Sequence, residues 1–426
     1  MLNTQQETAV SLLSDFIKNN KNFFLLEGIP GSGKTYVVSQ FLLSQDSFEP
    51  DEIIILTPTH QAKKVINQKT NGAFECATIH SFLGLTKKIN TKGESYYSSS
   101  NKKQTTSKQY KLVVVDECSM INQKCYMAMM KLRSTCGFKY IFLGDKNQLP
   151  PINEEESIVF ELENKFRLTE NVRNANDIYD ATMNILTNID KKMDFFKKPS
   201  KNVNIEDELV EFYEKIDENI AADKNMIFLC WTNIRRKQMN KYMRKSKYGE
   251  TPDKYNVGED LIVMGMFTTP NDILLPTNEI IKIKKIETIT KDIEEFKEII
   301  PPHFMKYFKK KLSQLKLWKL STDEYYIYDI CDEHKKIFED VLDRIGTACA
   351  KYKKKKYWES FFKIKEYFLP NVDYAYALTV HRSQGSEWDV VFLDVQNINK
   401  NNMLKYKNKL IYVGVSRAKQ GVYILK

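Results

Sequence analysis

The octapeptide Gly28-Ile29-Pro30-Gly31-Ser32-Gly33-Lys34-Thr35 fits the phosphate-loop pattern GxxxxGKT, and it narrows what this chain can fold into. Such a loop works only between a buried strand and the start of a helix. There, backbone N–H groups close around phosphate oxygens and the helix contributes its positive dipole end. Phe23-Phe24-Leu25-Leu26 suits the strand, and Tyr36 to Leu43 suits the helix. In that setting Gly28, Pro30, Gly31, Ser32 and Gly33 form the cradle, Lys34 reaches the β and γ phosphates, and Thr35 holds Mg²⁺. A nucleoside triphosphate is the expected ligand.

The rest of the pattern repeats this architecture. Ile53 to Leu56, Leu112 to Val115 and Tyr140 to Leu143 are short apolar runs separated by helix-like stretches, the mark of a parallel sheet covered on both faces. Met226 to Cys230, Tyr374 to Leu378, Val390 to Val395 and Val422 to Leu425 predict a second one. At 426 residues the chain is long enough for two to four domains. The fold class is therefore α/β, with two P-loop NTPase-like domains of parallel sheet flanked by helices, each carrying an insertion. Residues 86–111, with seven lysines and one glutamate around Gly93 and Tyr96-Tyr97, read as an exposed hairpin or loop. The second insertion, 267–369, mixes strand-like segments (Glu279 to Ile289, Tyr325 to Ile330) with lysine-rich helical ones (Lys306 to Lys319, Lys351 to Lys365). Its aromatic residues Trp318, Tyr325, Tyr326 and Trp358 read as core.

Composition adds limits. Sixty-five Lys+Arg against 55 Asp+Glu give +10, which suits an anionic partner without requiring one. The seven cysteines show no metal-binding spacing, so free thiols in a reducing compartment are expected. No signal-like N-terminus and no apolar run near the roughly 18 residues of a membrane span are present, so a soluble, intracellular, cytoplasmic protein is expected. The lysine- and tyrosine-rich, alanine-poor composition suits an AT-rich genome such as that of a phage or virus.

Further chemistry sits after the other strands. Val113-Val114-Val115-Asp116-Glu117 ends a strand in two acids, Asp116 suited to the Mg²⁺ shell and Glu117 to the attacking water. Gln148, in Gly144-Asp145-Lys146-Asn147-Gln148, has an amide suited to the γ-phosphate. In-line phosphoryl transfer also needs positive charge on the transferring oxygens, for which Arg417 is the first candidate and Arg173 the second.

The ordered series of Gln6, GIPGSGKT, TPTH (57–60), ATIHSFLG (77–84), VVVDECSM (113–120), FLGDKNQLPP (142–151), LTENVR (168–173), LTVHRSQGSEWD (378–389) and YVGVSRAK (412–419) resembles the motifs of superfamily 1 helicases. The RecD and Dda branch, superfamily 1B, is the nearest likeness. It covers most of 1–175, 225–265 and 372–426 and is weak inside both insertions. The resemblance implies two RecA-like domains, 1–174 with the 86–111 pin and 175–266 joined to 370–426, with 267–369 as an inserted SH3-like and helical domain. It implies ATP and Mg²⁺ as cofactors and an ATP-dependent 5′-to-3′ DNA helicase of replication, recombination or repair. Gln6 would bond adenine, Gln148 and Gln384 would contact the γ-phosphate, Arg173 and Arg417 would stabilise charge, and Gly385 and Glu387 would lie near the nucleotide. Ser416 stands where many relatives have Thr, and Arg382 where many have Lys, which leaves fine claims about DNA contact at Arg382 open.

The same likeness implies single-stranded DNA and its junctions with duplex as partner, with replication or single-strand-binding proteins as possible company. A monomer and no membrane association are expected. Thr57, Pro58, His60, Thr78, His80, Asn233, Thr379, His381 and Arg382 would contact the strand, since hydroxyls and imidazoles at a sheet end meet phosphates and base faces. Tyr96 or Tyr97, at the tip of the lysine-rich insertion, would stack on the first base pair. An RNA helicase of the same superfamily, or a nucleotide-gated remodelling factor that does not unwind, are the alternatives.

Overall fold

The computed structural model describes residues 2–57, 70–99, 110–151, 153–172 and 177–426. They divide into two compact units, one of Met1–Gly84, Asn101–Thr251 and Tyr376–Lys426, the other of Leu85–Ser100 and Pro252–Ala375.

The first unit holds two parallel sheets. The six-stranded sheet runs Glu75–Thr78, Ile53–Thr57, Leu112–Val115, Lys139–Gly144, Phe23–Gly28, Lys165–Leu168. Its central strands are buried throughout because helices cover both faces. Ala9, Leu13 and Phe16 of the Thr4–Lys18 helix meet Val37, Val38 and Phe41 of the Lys34–Ser44 helix in one core cluster. Lys139 reaches back to the end of the first helix and donates to Phe16 O at 3.0 Å, Lys21 O at 2.8 Å and Asn19 O, a cation on exposed helix-end carbonyls. The five-stranded sheet runs Ala377–Thr379, Met226–Cys230, Trp388–Asp394, Ala418–Leu425, Val203–Glu206. Phe212, Ile216, Phe228, Met239, Met243 and Phe392 fill its helix-covered side.

Three sequence expectations about elements need correction. The Tyr374 to Leu378 run is not one strand: Val372–Tyr374 pairs antiparallel with Asp260–Val263 in the second unit, and Ala377–Thr379 joins the parallel sheet. Unit composition changes between Ala375 and Tyr376, so one apolar run serves two sheets. The Lys306 to Lys319 helix is half strand. Pro302–Lys309 is helical, but Gln314–Ser321 pairs with both Lys285–Asp292 and Tyr326–Ile330. Leu315 and Leu317 are buried while Gln314 is exposed and Lys316 partly so, a period of two that outweighs the lysine content. Likewise the Glu279 to Ile289 segment divides into Ile280–Lys282 and Lys285–Asp292, in different sheets.

In the second unit, helices Pro302–Lys309, Asp332–Tyr352 and Lys355–Phe368 close over the antiparallel sheet, with Phe304, Phe308, Leu317, Phe338, Ile345 and Phe368 at the centre. The Leu85–Ile89 and Ser95–Ser99 strands form an antiparallel hairpin. Its turn is closed by Asn90, whose side-chain oxygen accepts from Lys92 N at 2.9 Å and Glu94 N at 3.0 Å. Tyr96 and Tyr97 therefore lie on the returning strand, paired with Lys88 and Lys87, and not at the tip. The turn rests on Trp358: the indole Nε1 donates to Thr91 O at 3.1 Å, and a Cβ on Gly93 would come within 3.0 Å of the ring. Gly93 also has φ of +85°, so glycine is required there on two counts.

Candidate nucleotide site

The strand ends of the six-stranded sheet bring together residues spread over a third of the chain. Phe23–Gly28 feeds the phosphate loop, where Gly31 and Gly33 take positive φ (80° and 82°) that side chains rarely adopt. Ser32 Oγ donates to Ile29 O at 2.8 Å and closes the loop. Pro30 completes the turn, and a Cβ on Gly28 would lie 2.6 Å from Ser32 Oγ. Lys34 Nζ donates to Gly28 O at 2.6 Å and Ile29 O at 3.1 Å. Those bonds hold the ammonium over the loop that phosphates would enter.

Gln6 is placed by a capping box. Its backbone N–H donates to Asn3 Oδ1 at 2.8 Å, its Oε1 accepts from Asn3 N at 3.1 Å, and its Nε2 donates to Ser32 O at 3.1 Å. The amide is buried against Gly33, where an added Cβ would lie 2.5 Å from Nε2. Contact with adenine would require the amide to exchange one of these bonds.

Leu112–Val115 ends at Asp116 and Glu117. Asp116 Oδ2 lies 3.5 Å from Thr35 Oγ1, so a hydroxyl and a carboxylate face each other where a hard cation could bridge them to phosphate. Among the described residues no group of three or more His, Cys, Asp or Glu could hold a metal ion. A cation here would complete its shell with phosphate and water, as Mg²⁺ does at phosphate sites. Glu117 has φ of 51° and ψ of 47°, a left-handed backbone that costs a non-glycine residue about 1–3 kcal/mol and is found at functional sites. Burial, then the Asp116 carboxylate, pushes its carboxyl above the usual range, while Arg417 and Lys34 pull the other way. Its Oε2 is buried with no hydrogen-bond partner.

Lys139–Gly144 leads to the Asp145–Gln148 loop. Asp145 Oδ1 accepts from Asn147 N at 3.0 Å, and Gln148 N donates to Asp145 O at 3.1 Å. The loop buries Gln148, whose Oε1 has no partner.

Further candidates come from the five-stranded sheet. Gln384 follows the Val380–Ser383 turn, and its buried Nε2 also has no partner. Gly385 takes φ of +76°, turning the chain toward Trp388. Glu387 lies in the same segment. Arg417 is 4% exposed and is tied to the end of the Leu404–Val415 helix, Nε to Val413 O at 3.2 Å and Nη2 to Ser416 Oγ at 3.1 Å. Its charge reaches Glu117. Arg173 lies outside the described residues.

Sequence reasoning passed over three participants. Asp145 Oδ2 accepts from the Tyr412 hydroxyl at 2.6 Å, wholly buried, and Lys409 Nζ donates to Lys146 O at 3.2 Å. An Asp in a Gly-Asp turn and a Tyr in an apolar helix carry no local signal of pairing.

The DNA candidates are less concentrated. Thr57 and Thr78 end adjacent strands as register partners, Thr57 fully buried and Thr78 capping the Ile79–Phe82 turn that carries His80. Pro58 and His60 lie outside the described residues. Thr379 ends one strand of the second sheet and Asn233 follows its neighbour, exposed at the start of a helix. His381 Nε2 is 2.6 Å from Tyr406 OH, and burial, then Arg382, holds its pKa below the ordinary value.

Residues 13–154 match the family described as an AAA domain, and 374–425 that described as a UvrD-like helicase C-terminal domain. The chain is 26% identical to an uncharacterized protein of Acanthamoeba polyphaga mimivirus, with 99% of each covered. It is 24% identical to the ATP-dependent DNA helicase dda of Enterobacteria phage T4, with 98% of each covered. Among solved structures, Bacteroides Pif1 bound to ssDNA shares the fold with a TM-score of 0.55 at 15% identity, over 100% of this chain and 92% of that one. No helix among the described residues is long and apolar enough to cross a membrane. From the phosphate loop to the last strand, this chain resembles the superfamily 1B DNA helicases of the Dda and Pif1 type.

Proposed function

We propose that this protein is an ATP-dependent DNA helicase that moves 5′ to 3′ along a single strand and separates the duplex it meets. One observation carries the catalytic part: Glu117 Oε2 and Gln148 Oε1, which follow strands of the phosphate-loop sheet, and Gln384 Nε2 of the second sheet are all buried without partners. Leaving such atoms unpaired costs about 1–3 kcal/mol each, a cost that a polar ligand in the site would offset.

The residues present fit Mg²⁺ and ATP. Thr35 and Asp116 would hold the ion, which when bound neutralises phosphate charge. Lys34 would trade its loop carbonyls for phosphate oxygens. Glu117 would orient water and take its proton, Gln148 and Gln384 would bond the γ-phosphate, and Arg417, with Arg173, would stabilise the charge that develops there. Gln6 and Glu387 would hold the nucleoside. Because these groups come from two sheets, ATP binding and hydrolysis would alternately draw the sheets together and release them, changing how Thr78, Asn233, Thr379, His381 and Arg382 grip the strand.

We read 1–174 and 175–266 with 370–426 as the two motor domains, 267–369 as an inserted domain, and the 86–111 insertion as a pin at the fork. Names of relatives favour DNA over RNA as substrate. Partial duplexes with a 5′ or a 3′ tail test the reading: unwinding of the 5′-tailed substrate by wild type, and none by Lys34→Ala, is expected. Activity confined to the 3′-tailed substrate would refute the polarity, and an active Lys34→Ala would refute the mechanism.

A further inference from the structure

The Leu404–Val415 helix has one face already explained, because its last turn holds Arg417. One turn earlier, Lys409 and Tyr412 stand three residues apart on a shared face, and both reach the loop that follows Lys139–Gly144. Asp145 organises that loop. One of its carboxylate oxygens holds Asn147 through the backbone and side chain at 3.0 and 3.2 Å, and its carbonyl holds the Gln148 backbone at 3.1 Å. The other carboxylate oxygen is engaged by Tyr412.

We propose that Tyr412, seconded by Lys409, is a positioning latch between the two sheets: it fixes the Asp145–Gln148 loop against the helix that ends in Arg417, so that the Gln148 amide and the Arg417 guanidinium arrive at one phosphate together. This rests on the reading of the chain as an ATPase. Three further observations support it. The helix itself is held on two sides, since a Cβ on Gly414 would lie 2.5 Å from Leu393 Cδ1 of its sheet and Asn408 Nδ2 donates to Ile189 O, just past the Asp177–Thr187 helix, at 2.8 Å. A movement of the loop is therefore passed to the helix as a unit. Burial, then the Asp145 carboxylate, holds the Tyr412 phenol well above its ordinary pKa, so it remains a donor. Lys409 makes its bond although burial lowers its pKa, which is unusual for a residue that could lie in solvent.

Tyr412→Phe keeps the ring and removes the hydroxyl. With saturating single-stranded DNA we expect kcat for ATP to fall about tenfold while KM for ATP and affinity for DNA stay within about twofold. Asp145→Asn leaves one acceptor oxygen where two are used, so it gives up either the Tyr412 or the Asn147 bonds; kcat is expected to fall at least as far, and adding Tyr412→Phe to it costs little more. Should Tyr412→Phe fold poorly, Lys409→Met tests the second bond by the same split, with a fall of about threefold. A kcat equal to wild type in the folded variant, or a loss expressed wholly in KM, overturns the latch and leaves the proposed function standing. A wild-type chain with no DNA-stimulated ATPase overturns both.

Discussion

The two parallel sheets of the first unit build the candidate site from opposite strand ends. In the six-stranded sheet, the phosphate loop, Asp116-Glu117 and Asp145–Gln148 all follow the C-terminal ends of strands. In the five-stranded sheet, Arg417 sits ahead of Ala418–Leu425, where Trp388 and Ala418 open the pairing and Trp388 N donates to Arg417 O at 3.0 Å, while Gln384 lies in the connection from Ala377–Thr379 to Trp388–Asp394. The first sheet therefore has the usual ligand-binding edge of a parallel α/β sheet, and the second contributes its other edge. On the proposed reading the difference divides the labour: the first edge offers the backbone loop together with Lys34, Thr35 and the acids, and the second adds the guanidinium of Arg417.

Removing the second edge's charge should have the largest effect. Arg417→Ala is expected to lower ATPase kcat about 10³-fold while nucleotide binding persists; a rate within tenfold of wild type would mean that the first sheet works alone. Gln384→Ala is expected to cost about 10²-fold in kcat. A comparable loss in nucleotide affinity instead would make it a binding group equal to those of the first edge. The smallest effects belong to the second unit. Trp358→Ala, or Tyr96→Ala with Tyr97→Ala, should lower duplex unwinding about fivefold and leave DNA-stimulated ATPase intact. Equal loss of both activities would end the reading of the hairpin as a pin held by Trp358.

Most of the six-stranded sheet was legible in the sequence because its inner strands are unbroken runs such as Ile53-Ile54-Ile55-Leu56 and Leu112-Val113-Val114-Val115. Glu75–Thr78, Lys165–Leu168 and Val203–Glu206 were not, and all three are sheet edges. An edge strand has a neighbour on one side only and keeps partly exposed side chains, so Lys165-Phe166-Arg167-Leu168 and Val203-Asn204-Ile205-Glu206 show no apolar run. Ala377–Thr379, the remaining edge, is fully buried and was blurred for another reason, since its apolar run continues from Val372–Tyr374 of a different sheet. For the candidate site, the motifs nominated Lys34, Thr35, Asp116, Glu117, Gln148, Gln384 and Arg417, and no motif pointed to the pairing of Asp145, Tyr412 and Lys409. Their roles exist only in the pairing, and the tip position given to Tyr96 and Tyr97 failed because turn geometry at Asn90 to Glu94 sets the hairpin end.

The sequence alone determined the phosphate loop, since its function is a property of contiguous backbone: glycines at the positive-φ positions, a strand before and a helix after. Tertiary structure decided which distant groups meet it. Tyr412 finds Asp145 across 267 residues, and Trp358 finds Thr91 across 267 residues in the other unit. Contacts at such separation are chosen by the packing of whole elements and leave no period or spacing in the chain. Arg417 reaches Glu117 for the same reason.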